Sequence, residues 1–280
     1  MSRPLPAPIG SPSAADLDAA ELAAYVALHR VGLCRWQAIE VLRVPGRAIR
    51  ITGVVENFDQ VAALKTALDG VHPVEFEVIA PPADLPALSA GEPGRLRLEP
   101  RPTLIEKRIE EYFLRRSPRE QTARSVAEFC GRATQLSATT HTEAQALSTL
   151  AAAFPDARLQ RMSAADRSRF APLAEEHMRE VEQSLAQLGV LLDRLDGGRT
   201  VTEPAPALPG RWEEWCRRLY PRVARMDYLV AGLFAGLDLR GLTADQAWLE
   251  LREAQGLSLA LLDATGPSLR SSLETRSAAR

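Results

Sequence analysis

Aromatic residues are scarce in this chain, at 5% of 280 residues. Alanine, leucine, arginine and glutamate supply most of the rest, side chains that lose little rotamer freedom in a helix, so helices are favoured over sheets. Cysteine is also sparse. Cys34, Cys130 and Cys216 lie far apart, and an odd number without a Cys-x-x-Cys pair excludes a disulfide framework and a zinc site. Each reads as a small buried apolar residue. Neither sign of charge dominates: 34 basic against 36 acidic residues leave a net charge of −2. That balance argues against a nucleic-acid partner, which requires a concentrated positive field. Long apolar runs are missing too. The longest, Tyr228 to Leu237, lies between Asp227 and Asp238 and is half of the about 20 residues a membrane span needs. Its Gly232 and Gly236 read as small residues at a helix contact in water.

The motifs of chemistry are equally absent. There is no Gly-x-Ser-x-Gly, His-Glu-x-x-His, Gly-x-Gly-x-x-Gly or phosphate-loop pattern, so the sequence assigns no catalytic, cofactor-binding or metal-ligating residue and reads as a non-enzyme. The histidines His29, His72, His141 and His177 are scattered. His177 has Glu176 and Glu180 nearby, but a di-metal bundle needs Glu-x-x-His on facing helices and residue 174 is alanine. His177 is expected at the surface or flanking a helix seam, and His141 with Glu143 is too sparse for a coordination sphere. The adjacent acids Glu110/Glu111 and Glu175/Glu176 splay about 100° apart on a helix and read as solvated. Residues 1–14 form a Pro/Ala/Ser-rich linker without the apolar centre of a signal peptide. It reads as a solvated tail or as the end of a lost upstream region. The chain as it stands is expected in the cytoplasm. A missing upstream segment would make it periplasmic or membrane-tethered.

What is present is a series of helix starts. Capping boxes, in which a hydroxyl and a carboxylate or amide satisfy two orphan N–H groups, are expected at Thr103/Glu106, Ser117/Glu120 and Thr243/Gln246, with looser forms at Asn57/Gln60 and Ser163/Asp166. Residues 15–80 read as helix, strand, strand, helix, strand. Helix 1, with Leu17, Leu22, Tyr25, Val26 and Leu28, is amphipathic. Strands are expected over 36–44, around Ile49-x-Ile51-x-Gly53-x-Val55, and at Val74-x-Phe76-x-Val78, the last with a wet face carrying Glu75 and Glu77. A helix with Val61, Leu64 and Leu68 lies between and stops at Gly70.

The pattern Ile49-x-Ile51-x-Gly53-x-Val55, then a helix, Gly70-Val71 and Val74-x-Phe76-x-Val78, resembles a BON domain, a small bacterial αββαβ-type module. The resemblance covers about a quarter of the chain. It implies binding at membranes or protein assembly, not catalysis. A BON-like unit followed by long helices is also similar to a group of uncharacterised bacterial proteins. Some of these carry an anti-sigma zinc-binding region and a membrane span upstream. By that resemblance the chain would be their extracytoplasmic sensory or interaction portion.

A proline-rich linker, residues 81–102, divides this unit from a helical region, 103–264. Ile105, Ile109, Tyr112 and Phe113 make a short stripe. Two long helices follow, with heptad-like seams: Val126, Cys130, Ala133, Ser137, Thr140, Ala144, Leu147, Ala151 and Phe154 in the first, Ala171, Ala174, Met178, Val181, Leu185, Leu188, Leu192 and Leu195 in the second. They are expected to form an antiparallel hairpin over 118–195, the bulky seam filling the space left by the small one. A third helix, from Arg211 to about Leu237, carries Trp212, Cys216, Leu219, Val223, Met226, Val230, Leu233 and Leu237 in its seam, with Pro221 inside. A last helix ends near Ala264, before a disordered tail, 265–280. The third helix also carries Arg217, Arg218, Arg222, Arg225 and Trp215, a possible patch for an anionic partner. The fold class is therefore α+β, mostly α: a small αββαβ unit followed by an antiparallel helical hairpin or bundle. The function expected is protein interaction or scaffolding, with a protein partner or self-association through the helices.

Overall fold

The computed structural model describes residues 11–35, 38–82, 103–116, 118–196 and 210–274. The chain divides into two compact units. One comprises Met1–Gly91 with Met162–Leu173, the other Glu92–Arg161 with Ala174–Arg280.

The first unit has the expected element order: α1 (Ala14–Arg30), β1 (Ile39–Val44), β2 (Ala48–Val54), α2 (Phe58–Ala67) and β3 (Val74–Ile79). The sheet order is β1-β2-β3, with β1 antiparallel and β3 parallel to β2. The antiparallel pair is joined by the short turn at Gly46, whose positive φ suits glycine. The parallel pair needs a crossover, and α2 supplies it. α1 starts with a capping box that the sequence reading did not include. The Ser13 hydroxyl accepts from Asp16 N–H, and the Asp16 carboxylate accepts from Ser13 N–H. The core is one face of the sheet, with Ile49, Ile51 and Val78, packed with Leu64 and Leu68 of α2 and with Leu17, Ala20, Ala24, Ala27 and Leu28 of α1. Of the expected amphipathic stripe, Leu17, Leu22 and Leu28 are buried and Val26 is half-buried. Alanines share the core face of α1, and they let the helix sit close to the sheet. On the outer face Arg50 bridges to Glu75 at 2.8 Å, and Arg47 reaches the same carboxylate at 2.9 Å. The Arg50 hydrogen bond holds Glu75 below the usual carboxylate range. The wet face of β3 is thus as expected. β1 begins at Ile39; the expected strand start at residues 36–37 lies outside the described residues.

In the second unit α3 (Glu106–Leu114), α4 (Arg119–Ala153), the short α5 (Asp156–Leu159), α6 (Ala164–Asp196, from Ala174 onward in this unit), α7 (Trp212–Ala235) and α8 (Ala244–Glu274) follow in order. α7 packs closely along both α4 and α8. Pairings between helices give their directions. Glu143 pairs with His177 and Arg132 with Gln187, so α4 and α6 are antiparallel. Ser137 pairs with Asp227, and Phe129 stacks near Phe234, so α4 and α7 are antiparallel. Leu185 pairs with Gln255 and Asp196 with Trp248, so α6 and α8 are antiparallel. α4 and α8 run one way and α6 and α7 the other, a bundle whose α6-to-α7 link joins parallel helices. The expected hairpin is present. Its small seam, however, does not serve α6 alone, because the buried Ser137 faces α7.

Several boundaries differ from expectation, each for a physical reason. α8 continues past Gly266 and Pro267 to Glu274, so the segment 265–274 is not a disordered tail. Leu269 is fully buried and Ser268 donates to the Gly210 carbonyl, and that packing offsets the cost of about 3 kcal/mol for proline inside a helix. Residues 275–280 lie outside the described residues, as do 1–10 and 83–102 of the expected linkers. α7 stops at Ala235, short of Leu237, because Gly236 adopts a left-handed cap. At Gly232 the Leu239 side chain, from the turn after α7, comes so close that a Cβ there would lie 2.2 Å from it. The box at Thr243/Gln246 forms, with bonds of 3.0 and 3.2 Å, and the Ser163 hydroxyl caps α6 through Asp166 N–H. At Asn57 the side chain caps α2, but Gln60 returns to Glu56 N–H instead. At Thr103 no box forms, since α3 begins at Glu106 without a side-chain cap. Ser117 lies outside the described residues, and Pro118 occupies the cap position before Arg119.

Candidate functional site

The heptad seams bring polar side chains together in pairs between the bundle helices. Between α4 and α7, the Asp227 carboxylate accepts from the Ser137 hydroxyl at 2.7 Å and lies 3.1 Å from His141 Nδ1. His141 Nε2 is 3.4 Å from the Tyr220 hydroxyl, and the two rings stack. Between α4 and α6, His177 Nδ1 lies 2.7 Å from Glu143, both side chains 1% exposed. His177 is therefore neither a surface residue nor a seam flank. It takes the buried seam position in place of the half-buried Met178, and its ring hydrogen-bonds Glu143. Between α6 and α8, the buried Arg252 reaches Asp193, Asp196 and Gln255. Gln255 lies directly over Gly189, where a Cβ would fall 2.3 Å from its side-chain nitrogen, so the glycine lets these helices approach.

The arginine patch expected on α7 is partly consumed in the same way. Arg225 binds Glu250 of α8 through two hydrogen bonds of 2.7 and 2.8 Å, and that contact holds Glu250 below the usual carboxylate range. Trp215 is buried, and its indole N–H donates to the Gly210 carbonyl. Arg218 lies 5.6 Å from the Trp215 ring. Arg222 donates to the Arg218 carbonyl. Arg217 is exposed and lines a small hollow of about 180 Å³ together with Glu213 and Ser148. The structure thus leaves Arg217, Arg218 and Arg222 at the surface and takes Arg225 and Trp215 into packing.

A second open feature of this unit lies elsewhere. A cavity of about 430 Å³ opens between α3 and the first turns of α4. Its apolar wall comes from Leu114, Val126 and the buried Phe234. Its polar groups are Thr103, Glu106 and Glu110 on the α3 side and Arg119, Thr122 and Cys130 on α4. It exists because the α4 seam ends there: Val126 and Cys130 are only half-buried, while Ala133 onward is covered. Among the described residues neither Glu106 nor Glu110 takes part in an ion pair, and the buried Thr103 hydroxyl makes no hydrogen bond. Burial, reinforced by the nearby Glu106 carboxylate, pushes the Cys130 thiol up to about 11. Cys216, fully buried in the α7 seam, is also pushed up by burial.

No protein-family model, curated protein or solved structure matches this chain. The BON resemblance of the first unit therefore rests on its strand-and-helix pattern. Among the described residues no helix is long and apolar enough to cross a membrane.

Sequence reasoning missed the cavity. Glu110 and Glu111 are both exposed, as expected, and Glu106 lies one turn before Glu110 on the same face. That i, i+4 spacing was the available signal. Cys130 is not the buried apolar residue expected; it borders the cavity. Its thiol gives a direct check. Alkylation of Cys130 in the native chain, followed by peptide mass spectrometry, is expected to keep accelerating with pH beyond the ordinary thiol value near 9 and toward about 11. A rate that levels off near pH 9 would contradict the burial argument.

Proposed function

We propose that this chain is a non-catalytic protein-interaction or scaffold protein. In this reading the helical bundle is one docking element and the BON-like sheet unit a second. The observation that carries the proposal is how the bundle uses its chemistry-bearing side chains. His141, Glu143, His177, Asp227 and Arg252 all face partners on neighbouring helices, where they set helix register. An enzyme would instead aim such groups at an open cavity. The Cys130 thiol beside the α3–α4 cavity is held protonated at neutral pH by burial, so it is a poor nucleophile.

Exposed apolar side chains supply the surfaces. In the sheet unit Val54, Phe58 and Ile79 are exposed, and Val54 and Ile79 are register neighbours at the ends of the parallel strands. On the bundle Leu249 of α8 is 66% exposed. The proposal is tested by size-exclusion chromatography with light scattering on the full chain, pure and in native host lysate. A species larger than the monomer is expected, and Leu249→Glu is expected to weaken self-association while leaving the helical circular-dichroism signal unchanged. A strict monomer in both settings overturns the reading.

A further inference from the structure

We propose that the cavity between α3 and α4 binds a small organic cation with an apolar body, of the alkyl- or arylalkyl-ammonium class. This goes beyond the interaction reading and does not depend on it. The volume of about 430 Å³ falls in the range of small-molecule sites, roughly 300–1,000 Å³, and the site has their usual make-up of an apolar wall with few polar groups. Phe234, Val126 and Leu114 offer the wall. Glu106 and Glu110 stand one helical turn apart on α3, so their carboxylates share one face. Like charges at that spacing repel, and no cation of the described residues pairs with either one. A ligand ammonium placed between them removes the repulsion and gains charge-assisted hydrogen bonds.

Arg119 is the single cation at the rim, so the lining keeps a net negative charge and selects against a carboxylate ligand. The buried Thr103 hydroxyl supplies an acceptor for a further ligand N–H. A hard divalent ion fits poorly, because it requires six or more oxygen ligands and the wall opposite α3 is mainly hydrocarbon.

The test is calorimetric titration of the full chain with phenethylammonium, its neutral isostere 2-phenylethanol, 3-phenylpropionate and calcium. Phenethylammonium is expected to bind at least tenfold more tightly than the alcohol, with no binding of the carboxylate or of calcium. Glu110→Gln is expected to abolish the preference over the alcohol. Ala123→Phe, an exposed lining position that a larger side chain can fill, is expected to abolish binding, with circular dichroism unchanged in both variants. Absence of phenethylammonium binding, equal binding of the alcohol, or binding indifferent to both substitutions overturns the proposal.

Discussion

Replacing Gly53 by alanine is expected to lower the stability of the sheet unit by more than about 3 kcal/mol, enough to unfold it while the bundle stays helical. Gly53 faces Ile39 in the β1–β2 register. A Cβ at this position would fall 2.0 Å from the Ala38 carbonyl oxygen and 2.8 Å from the Ile39 Cα. Both are backbone atoms, so no rotamer change relieves the clash. The φ of 147° adds a conformation that L-residues rarely adopt. The Ala38 carbonyl is also the acceptor for Val54 N–H at 3.1 Å, so moving it away breaks the end of the strand pairing. Gly46→Ala is the control. Gly46 also has a positive φ, but nothing lies within 4 Å of its Cβ position, so a cost of about 1 kcal/mol is expected. Hydrogen exchange across residues 39–79 separates the two: near-complete loss of protection in the first variant, near-native protection in the second. Similar behaviour of both would refute the close-approach argument.

Replacing Glu143 by leucine alone is expected to cost about 1–3 kcal/mol, because it removes the buried carboxylate hydrogen-bonded to His177 Nδ1. Both side chains are 1% exposed and 2.7 Å apart, so solvent screens the pair little. The paired replacement Glu143→Leu with His177→Leu is expected to recover most of that loss. Replacing both partners of a buried hydrogen bond by apolar groups of similar shape is often nearly neutral. Urea unfolding of the single and double variants, read as a double-mutant cycle, gives the coupling. A double variant as unstable as the sum of the two single ones would show that the residues do not act as a pair. The pair's place between α4 and α6 also gives it a registry role. The double variant is expected to stay folded with a less uniquely fixed hairpin, seen as broader amide resonances along α6.

The periodicities translated well where a single contact decides each residue. The α7 seam is buried from Trp212 to Leu233, whereas Leu237, beyond the Gly236 cap, is exposed, and the alternation of β3 places Glu75 and Glu77 outward. In both, spacing along one element is enough to choose a face. Prediction failed where a residue's role depends on a second element. Pro267 marks a helix end in any local reading, yet α8 passes through it because Leu269 and Ser272 are packed beyond it. Val26 looks like a core residue of α1, yet it is only half-buried, while Leu17, Leu22 and Leu28 of the same helix are buried as expected. The candidate cavity was the least legible feature. It is made by the end of one seam and the side of another helix, and no run of residues along the chain encodes their juxtaposition.

The sequence by itself determined the element types and their order, most helix starts and the stop at Gly70, because those follow from interactions within a few residues. Only the tertiary structure decided which histidine meets which carboxylate, that Ser137 faces α7, and that Glu106 and Glu110 border an open cavity. Residues far apart in the chain must approach within a few ångströms for those choices to be made. Their energies depend on burial and partner geometry that no local pattern carries.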